Sequence, residues 1–285
     1  MSAKFLVTLD LHVDELHRCP DLLNDMRAEK IDVLYVRGVY SPETMAEICR
    51  RLDHNDAGMQ RTFQEDANPE VKQHSIYGFS ITPSNLHKNG PPLDDYLAAA
   101  ARFRPDCRRL FEGYPDYETT IVDNFRKLGG GRDITLPATR DGRHYSPSTV
   151  RFIPDGCQIP IHVGNYFLHQ PVSAPLVELV DTSVQISFFV TVALPGSGGE
   201  LYVYDLLYED PRTPRDRIGN IDLAVVERNF RRETHAPGVG DLFIFNGGKY
   251  YHRVTHVQTA PHERRWTIGG FLAFAKSDPR IYFWG

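Results

Sequence analysis

Apolar residues recur at helical spacing through much of the first half of the chain and at strand spacing through the second. Lys4 to Asp10 is apolar only briefly before turning acidic, and reads as a first strand rather than a secretory leader. Ser41-Pro42-Glu43 has the make-up of a helix start, with serine as cap, proline next and an acid in the first turn. The helix it opens carries Met45, Ile48 and Leu52 on one face and is expected to run to about Asp53. A second begins near Pro92 and carries Leu93, Tyr96, Leu97, Phe103 and Leu110, with Pro105 placed to bend it. A third, Tyr117 to Leu128, ends at Gly129-Gly130-Gly131, where glycine accommodates a left-handed cap. Arg132 to Pro147 is polar and punctuated by glycine and proline, and reads as a loop.

From Thr149 the period shortens. Strand-like runs follow at Thr149–Ile153, Gln158–Val163, Val184–Ala193, Glu200–Asp205, Asp241–Phe245, Tyr250–Val257 and Arg265–Phe274. Turn clusters such as Pro195-Gly-Ser-Gly-Gly199 and Asn246-Gly-Gly248 separate them. That spacing predicts an all-β core with helices, a double-stranded β-helix (a cupin-like jelly roll) with N-terminal helical decoration on one outer face. A single domain over 1–285 is expected, with 1–148 mainly helical support and 149–285 the jelly-roll core. The insertion Glu209 to Arg232, with a short helical pattern at Leu223–Phe230, is expected over the barrel mouth, as a solvated crossover or as a substrate lid.

Composition narrows the class. Apolar residues make up 41% and charged residues 24%, as in ordinary globular proteins, and no apolar stretch is long enough to span a bilayer. A net charge of −5 argues against a nucleic-acid polymer or an anionic membrane as partner, leaving a small molecule. The four cysteines are widely spaced with no CxxC pair, which suits thiols in a reducing cytoplasm. Nothing in the pattern bears on oligomeric state.

Two of the twelve histidines stand out. His162 ends the run Gln158-Ile-Pro-Ile-His162, and His252 follows the Gly247-Gly248 turn. A jelly roll brings strands so placed to one mouth. Two imidazoles and a carboxylate form the facial triad that holds iron(II) in non-haem oxygenases. The carboxylate would be expected two residues after the first histidine, but that position is Gly164. With two imidazoles, the two oxygens of 2-oxoglutarate and dioxygen on the metal, one place remains, and chloride there restores the charge of the missing carboxylate. Downstream, Arg265 is suited to a bidentate pair with the far carboxylate of 2-oxoglutarate. It is preferred to Arg264 because Thr267 shares its strand face. Other readings stay open: water instead of halide, giving a hydroxylase; Glu200, in a Gly-Gly-Glu turn like that of prolyl-hydroxylase-type dioxygenases, as a third ligand; or a cupin-like binding protein without turnover.

Several segments carry a more specific likeness. Ile161-His-Val-Gly-Asn165, Gly199-Glu-Leu-Tyr-Val-Tyr204, Gly247-Gly-Lys-Tyr-Tyr-His-Arg253 and Thr267-Ile-Gly-Gly-Phe-Leu-Ala-Phe274 stand in the C-terminal half, followed by Ile281-Tyr-Phe-Trp284. Tyr145-Ser-Pro-Ser-Thr-Val-Arg151, Ile76-Tyr-Gly78 and Val36-Arg-Gly-Val39 extend it toward the N-terminus. In these the chain resembles the freestanding halogenases that chlorinate aliphatic carbons of hapalindole-type indole alkaloids. The resemblance implies iron(II), 2-oxoglutarate, chloride and O2. It implies His162 and His252 as metal ligands, Gly164 as the halide position, and Ser187 as a serine that orients the oxidising species. It also implies Arg265, Thr267 and Arg151 as the co-substrate set, though the loop before Arg265 is longer here. The departures lie in the substrate pocket: Gln73, His74 and Ser80 replace small apolar residues, while Ile159 is retained. Unpaired polar groups penalise an apolar ligand, so a polar substrate such as a nucleoside or nucleotide is expected, as in actinobacterial nucleotide-chlorinating relatives.

Overall fold

The computed structural model of the protein describes residues 4–64, 74–78, 93–258, 264–277 and 279–285. Its strands are β1 (Thr8–His12), β2 (Val33–Arg37), β3 (Arg61–Gln64), β4 (His74–Tyr77), β5 (Ile134–Thr135), β6 (Thr149–Ile153), β7 (Ile159–His162) and β8 (Ile186–Ala193). They continue with β9 (Ser197–Gly198), β10 (Leu201–Leu207), β11 (Arg232–His235), β12 (Leu242–Phe245), β13 (Tyr250–Val254), β14 (Val257–Gln258), β15 (Arg265–Phe274) and β16 (Ile281–Trp284).

Two sheets face each other. The larger runs β1-β2-β12-β8-β15-β6-β4-β3, with β16 beside the second half of β15 and β5 beside β16. The smaller runs β11-β10-β13-β7. Alternation decides which side chains face where. Along β8, Ile186, Phe188, Val190 and Val192 point to the outer face, while Ser187, Phe189 and Thr191 point inward. β15 follows the same rule, with Trp266, Ile268 and Leu272 outward and Arg265 and Thr267 inward.

The outer face of the larger sheet is covered by helices α1 (Leu22–Arg27), α2 (Pro42–His54), α3 (Leu93–Leu110) and α4 (Tyr117–Leu128). Ser41 caps α2 by accepting the Thr44 N–H, and Asp116 caps α4 by accepting that of Thr119. Phe125 of α4 meets Phe188 edge-on at 4.9 Å, and truncating such a ring to alanine costs about 3–5 kcal/mol. Helical decoration on one face is therefore present, but residues 1–148 also lend five strands, β1 to β5, to the larger sheet. The second half of the insertion, the helix Leu223–Asn229, packs Val226 against Tyr204 and Tyr251 on the outer face of the smaller sheet. It covers that sheet rather than the barrel mouth.

Candidate active site

The interior between the sheets holds an apolar cluster that includes Val33, Leu201, Val203, Phe243 and Val257, and a polar set of side chains lies against it. The polar set starts with an irregularity. Ile159 of β7 pairs with Val254 of β13, and His162 pairs with His252. Pro160 and Ile161 thus oppose Arg253 alone, which is a β-bulge. Strict alternation would send Ile159 and His162 to opposite faces; the bulge sets both inward and sends Ile161 out to the Tyr204 cluster. Pro160, with no N–H to donate, stands where the ladder is broken.

The two imidazole rings lie 4.2 Å apart between centroids, inclined at 57°. Nδ1 of His162 donates to the carbonyl of Pro160 at 2.8 Å, and Nδ1 of His252 to that of Tyr250 at 2.9 Å. A carbonyl only accepts, so Nδ1 keeps the proton and Nε2 keeps the lone pair, the tautomer a metal ligand needs. Burial pushes His162 down to about 4; burial and then the neighbouring His162 push His252 well below the usual imidazole range. Both are therefore neutral near pH 7. Among the described residues no His, Cys, Asp or Glu completes a group of three with them. Glu200 lies elsewhere: it is bonded to Thr255, whose hydroxyl donates to its carboxylate at 2.6 Å, while His252 pairs with Val203.

Gly164 begins the short helix Asn165–Leu168 with φ −64° and ψ −40°, a conformation open to any residue. Its N–H donates to the Gly247 carbonyl at 2.8 Å. The Gly247-Gly248 turn is pressed onto the start of β8, where a Cβ on Gly247 would collide with Ser187 Oγ and one on Gly248 would stand 2.6 Å from the Gln185 carbonyl oxygen. Glycine is required there by that close approach. Ser187 is buried, and its hydroxyl has no hydrogen-bond partner.

Across β15, Thr267 pairs with Arg151 of β6 on one side and Thr191 of β8 on the other. Arg265 is buried with its guanidinium over the Phe189 ring at 5.2 Å. Neither Arg151 nor Arg265 has an acidic partner among the described residues, and Arg151 Nε and Thr191 Oγ1 are buried without partners. Burial, then the Arg151 charge, pushes Arg265 down to about 9, and burial alone pushes Arg151 to about 10. Two adjacent cations without a counter-charge are costly to bury, and a dicarboxylate would offset that cost. Arg264 points the other way: its Nε donates to Asp53 at 2.7 Å, and Trp266 Nε1 donates to the same carboxylate at 3.1 Å.

The donor set therefore fits iron(II) at the two Nε2 atoms and 2-oxoglutarate at the paired arginines. The structure lines the interior with these residues: His162, His252, Gly164 and Ser187 lie toward the Gly247-Gly248 turn, Arg265 lies toward the other end of β8, and Arg151 and Thr267 stand between them. Ile159 lies in the apolar cluster beside His162, with Cys157 and Val254. Gln73 and Ser80 fall outside the described residues, and His74 is placed only by its backbone, opposite Gln64 on β3. Sequence reasoning passed over Gln185 and Asn165, two buried amides packed around the glycines.

Residues 5–285 match the family model described as carrier-protein-independent halogenase WelO5. Among solved structures, the fold is similar to an N-substituted L-amino acid dioxygenase from Burkholderia ambifaria AMMD, at 15% identity and a TM-score of 0.53, covering 92% of this chain and 90% of that one. The same dioxygenase in complex with alpha-KG superimposes with a TM-score of 0.50, at the same identity and coverage. No curated protein matches the sequence.

Proposed function

Since the chain belongs to the carrier-protein-independent halogenase family, whose members are iron(II)- and 2-oxoglutarate-dependent oxidoreductases using O2 and chloride, we propose that it chlorinates an unactivated aliphatic C–H of a freestanding polar metabolite of the nucleoside or nucleotide class. The observation that carries this reading is Gly164 beside two inward histidines that no acidic side chain joins among the described residues. The net reaction takes R–H, chloride, O2 and 2-oxoglutarate to R–Cl, succinate, CO2 and hydroxide. Bound iron supplies the oxidising power for breaking the C–H bond.

The protein's own residues do the rest. His162 and His252 present fixed lone pairs because their Nδ1 protons are committed to the backbone. Arg265 and Arg151, with Thr267, hold the far carboxylate and so orient the co-substrate. Ser187 offers an uncommitted hydroxyl at the reacting end. The apolar cluster behind Ile159 keeps bulk water from that side of the site. The polar substrate class rests on Gln73, His74 and Ser80.

The test is product mass spectrometry on a nucleoside and nucleotide panel, with iron, 2-oxoglutarate and O2, with and without chloride. Chloride-dependent appearance of chlorine's two-isotope pattern is expected; a single added oxygen in both cases would make the protein a hydroxylase. Gly164→Asp is expected to keep iron, lose chlorination and gain hydroxylation. Chlorination by that variant at the wild-type rate would contradict the reading.

A further inference from the structure

We infer that Gln185 is the side chain that holds the halide, its amide donating an N–H to the anion at the place Gly164 leaves open. The inference rests on the proposed chlorination. Gln185 stands just before β8 and is only 2% exposed. Its backbone is fixed, because its carbonyl accepts the Gly248 N–H at 2.9 Å. Its side chain reaches back to the metal end: a Cβ built on Gly164 would stand 2.9 Å from Oε1 and 3.3 Å from Cδ. The amide thus flanks the position where a ligating carboxylate would otherwise begin.

The oxygen of that amide, Oε1, is buried and makes no hydrogen bond to the described residues, and the same holds for Oδ1 of Asn165, close to Gly248. Buried polar atoms without partners are uncommon and call for an explanation. A half-turn of the last side-chain torsion exchanges Oε1 and Nε2 within the same volume, presenting N–H to whatever sits beside Gly164. A neutral donor suits an anion that has replaced a carboxylate. It adds a hydrogen bond without adding charge, whereas a glutamate of the same shape would repel the halide. Asn165 and the Gly247-Gly248 turn complete the wall and keep the amide aimed.

The experiment is an anaerobic chloride titration of protein loaded with iron(II) and 2-oxoglutarate, following the shift of the iron-to-2-oxoglutarate charge-transfer band. Wild type, Gln185→Leu and Gln185→Glu are compared. The wild-type band should shift saturably with chloride. Gln185→Leu should bind chloride roughly tenfold to a hundredfold more weakly, the range of one hydrogen bond to a charged group. Gln185→Glu should show no saturation. Both variants should keep the unperturbed band without chloride, which reports an intact fold, metal site and co-substrate site. Equal chloride affinity in all three proteins would overturn the role of Gln185 and leave the chlorination reading standing. A wild-type band indifferent to chloride would sink both. Should a variant not fold, the wild-type crystal with chloride decides: a halide within hydrogen-bond reach of the Gln185 amide supports the inference, and one beyond it refutes it.

Discussion

On the outer face of the smaller sheet, Arg253 is nearly buried and fully engaged. Its Nε donates to the Tyr204 hydroxyl at 2.8 Å, one terminal nitrogen donates to Glu227 at 2.6 Å, and the guanidinium lies over the Tyr202 ring. Between the sheets, Arg265 is at least as buried, lies over the Phe189 ring and near the like charge of Arg151, and has no acidic partner among the described residues. The Arg253 guanidinium is held above its usual range by Tyr204 and Glu227 in spite of burial, while that of Arg265 is driven below it. The same side chain is thus a structural strut in one place and, in the proposed function, the anchor of the co-substrate in the other. A buried cation with partners stabilises the fold. One without partners is kept for a ligand, and the fold bears its cost.

The strongest way to break that contrast is to remove each charge in turn. Arg265→Met should weaken 2-oxoglutarate binding by roughly a hundredfold or more, since it deletes a buried charge-assisted contact. The same change should raise the thermal midpoint of protein without co-substrate by about 2–4 °C, because the uncompensated charge is gone. Calorimetry of both properties checks it; loss of stability together with loss of binding would make Arg265 structural after all. Arg253→Met should do the reverse. Denaturant unfolding should show a loss of roughly 2–3 kcal/mol, with 2-oxoglutarate affinity unchanged.

A titratable pair packed against Phe243 gives a third buried site to set beside the two arginines. His235 is buried, bonded through Nδ1 to the Tyr35 hydroxyl at 2.9 Å, and burial holds it down to about 4. A base with a depressed folded-state value gains protons more readily when unfolded. Its stability contribution is complete above about 6.5 and is lost as pH falls toward 4. Wild type should lose roughly 2–3 kcal/mol more than His235→Gln across that window in parallel unfolding series. Equal slopes would show that His235 is protonated inside the fold. The smallest effect belongs to Arg264→Gln. The Asp53 pair is partly solvated, so unfolding should shift by less than about 1 kcal/mol and co-substrate affinity should stay as it was.

The legible parts of the molecule were those where one physical pattern acts alone. β15 has the bounds expected of it, Arg265–Phe274, because inward and outward positions alternate along the run from its start. Three helices of the N-terminal half followed from one-sided apolar faces and, at Ser41, from a cap, whereas α1 and the Asp116 cap did not. β11 was not legible, since Arg-Glu-Thr-His has no apolar alternation and is a strand only because β10 pairs with it. β3 and β4 owe their place to tertiary pairing in the same way, while β2 carries an apolar run, Val33-Leu34-Tyr35-Val36, that sequence reasoning passed over. The bulge at Pro160-Ile161 is a register effect between two strands, and Pro160 is the trace it leaves in the sequence. Its result, His162 turned inward, was anticipated from chemistry rather than from periodicity. Gln185 left only a weak trace, a polar residue opening an apolar strand. What marks it out is an amide with no partner, and that is visible only once the neighbours are placed.

The central claim is that a halide, not a protein carboxylate, sits beside the two histidines. Long-wavelength anomalous diffraction from crystals grown anaerobically with iron(II), 2-oxoglutarate and chloride tests it most directly. A metal peak between His162 and His252 with a chlorine peak next to Gly164 is expected. A side-chain oxygen on the metal in that place, with no chlorine signal, would contradict it.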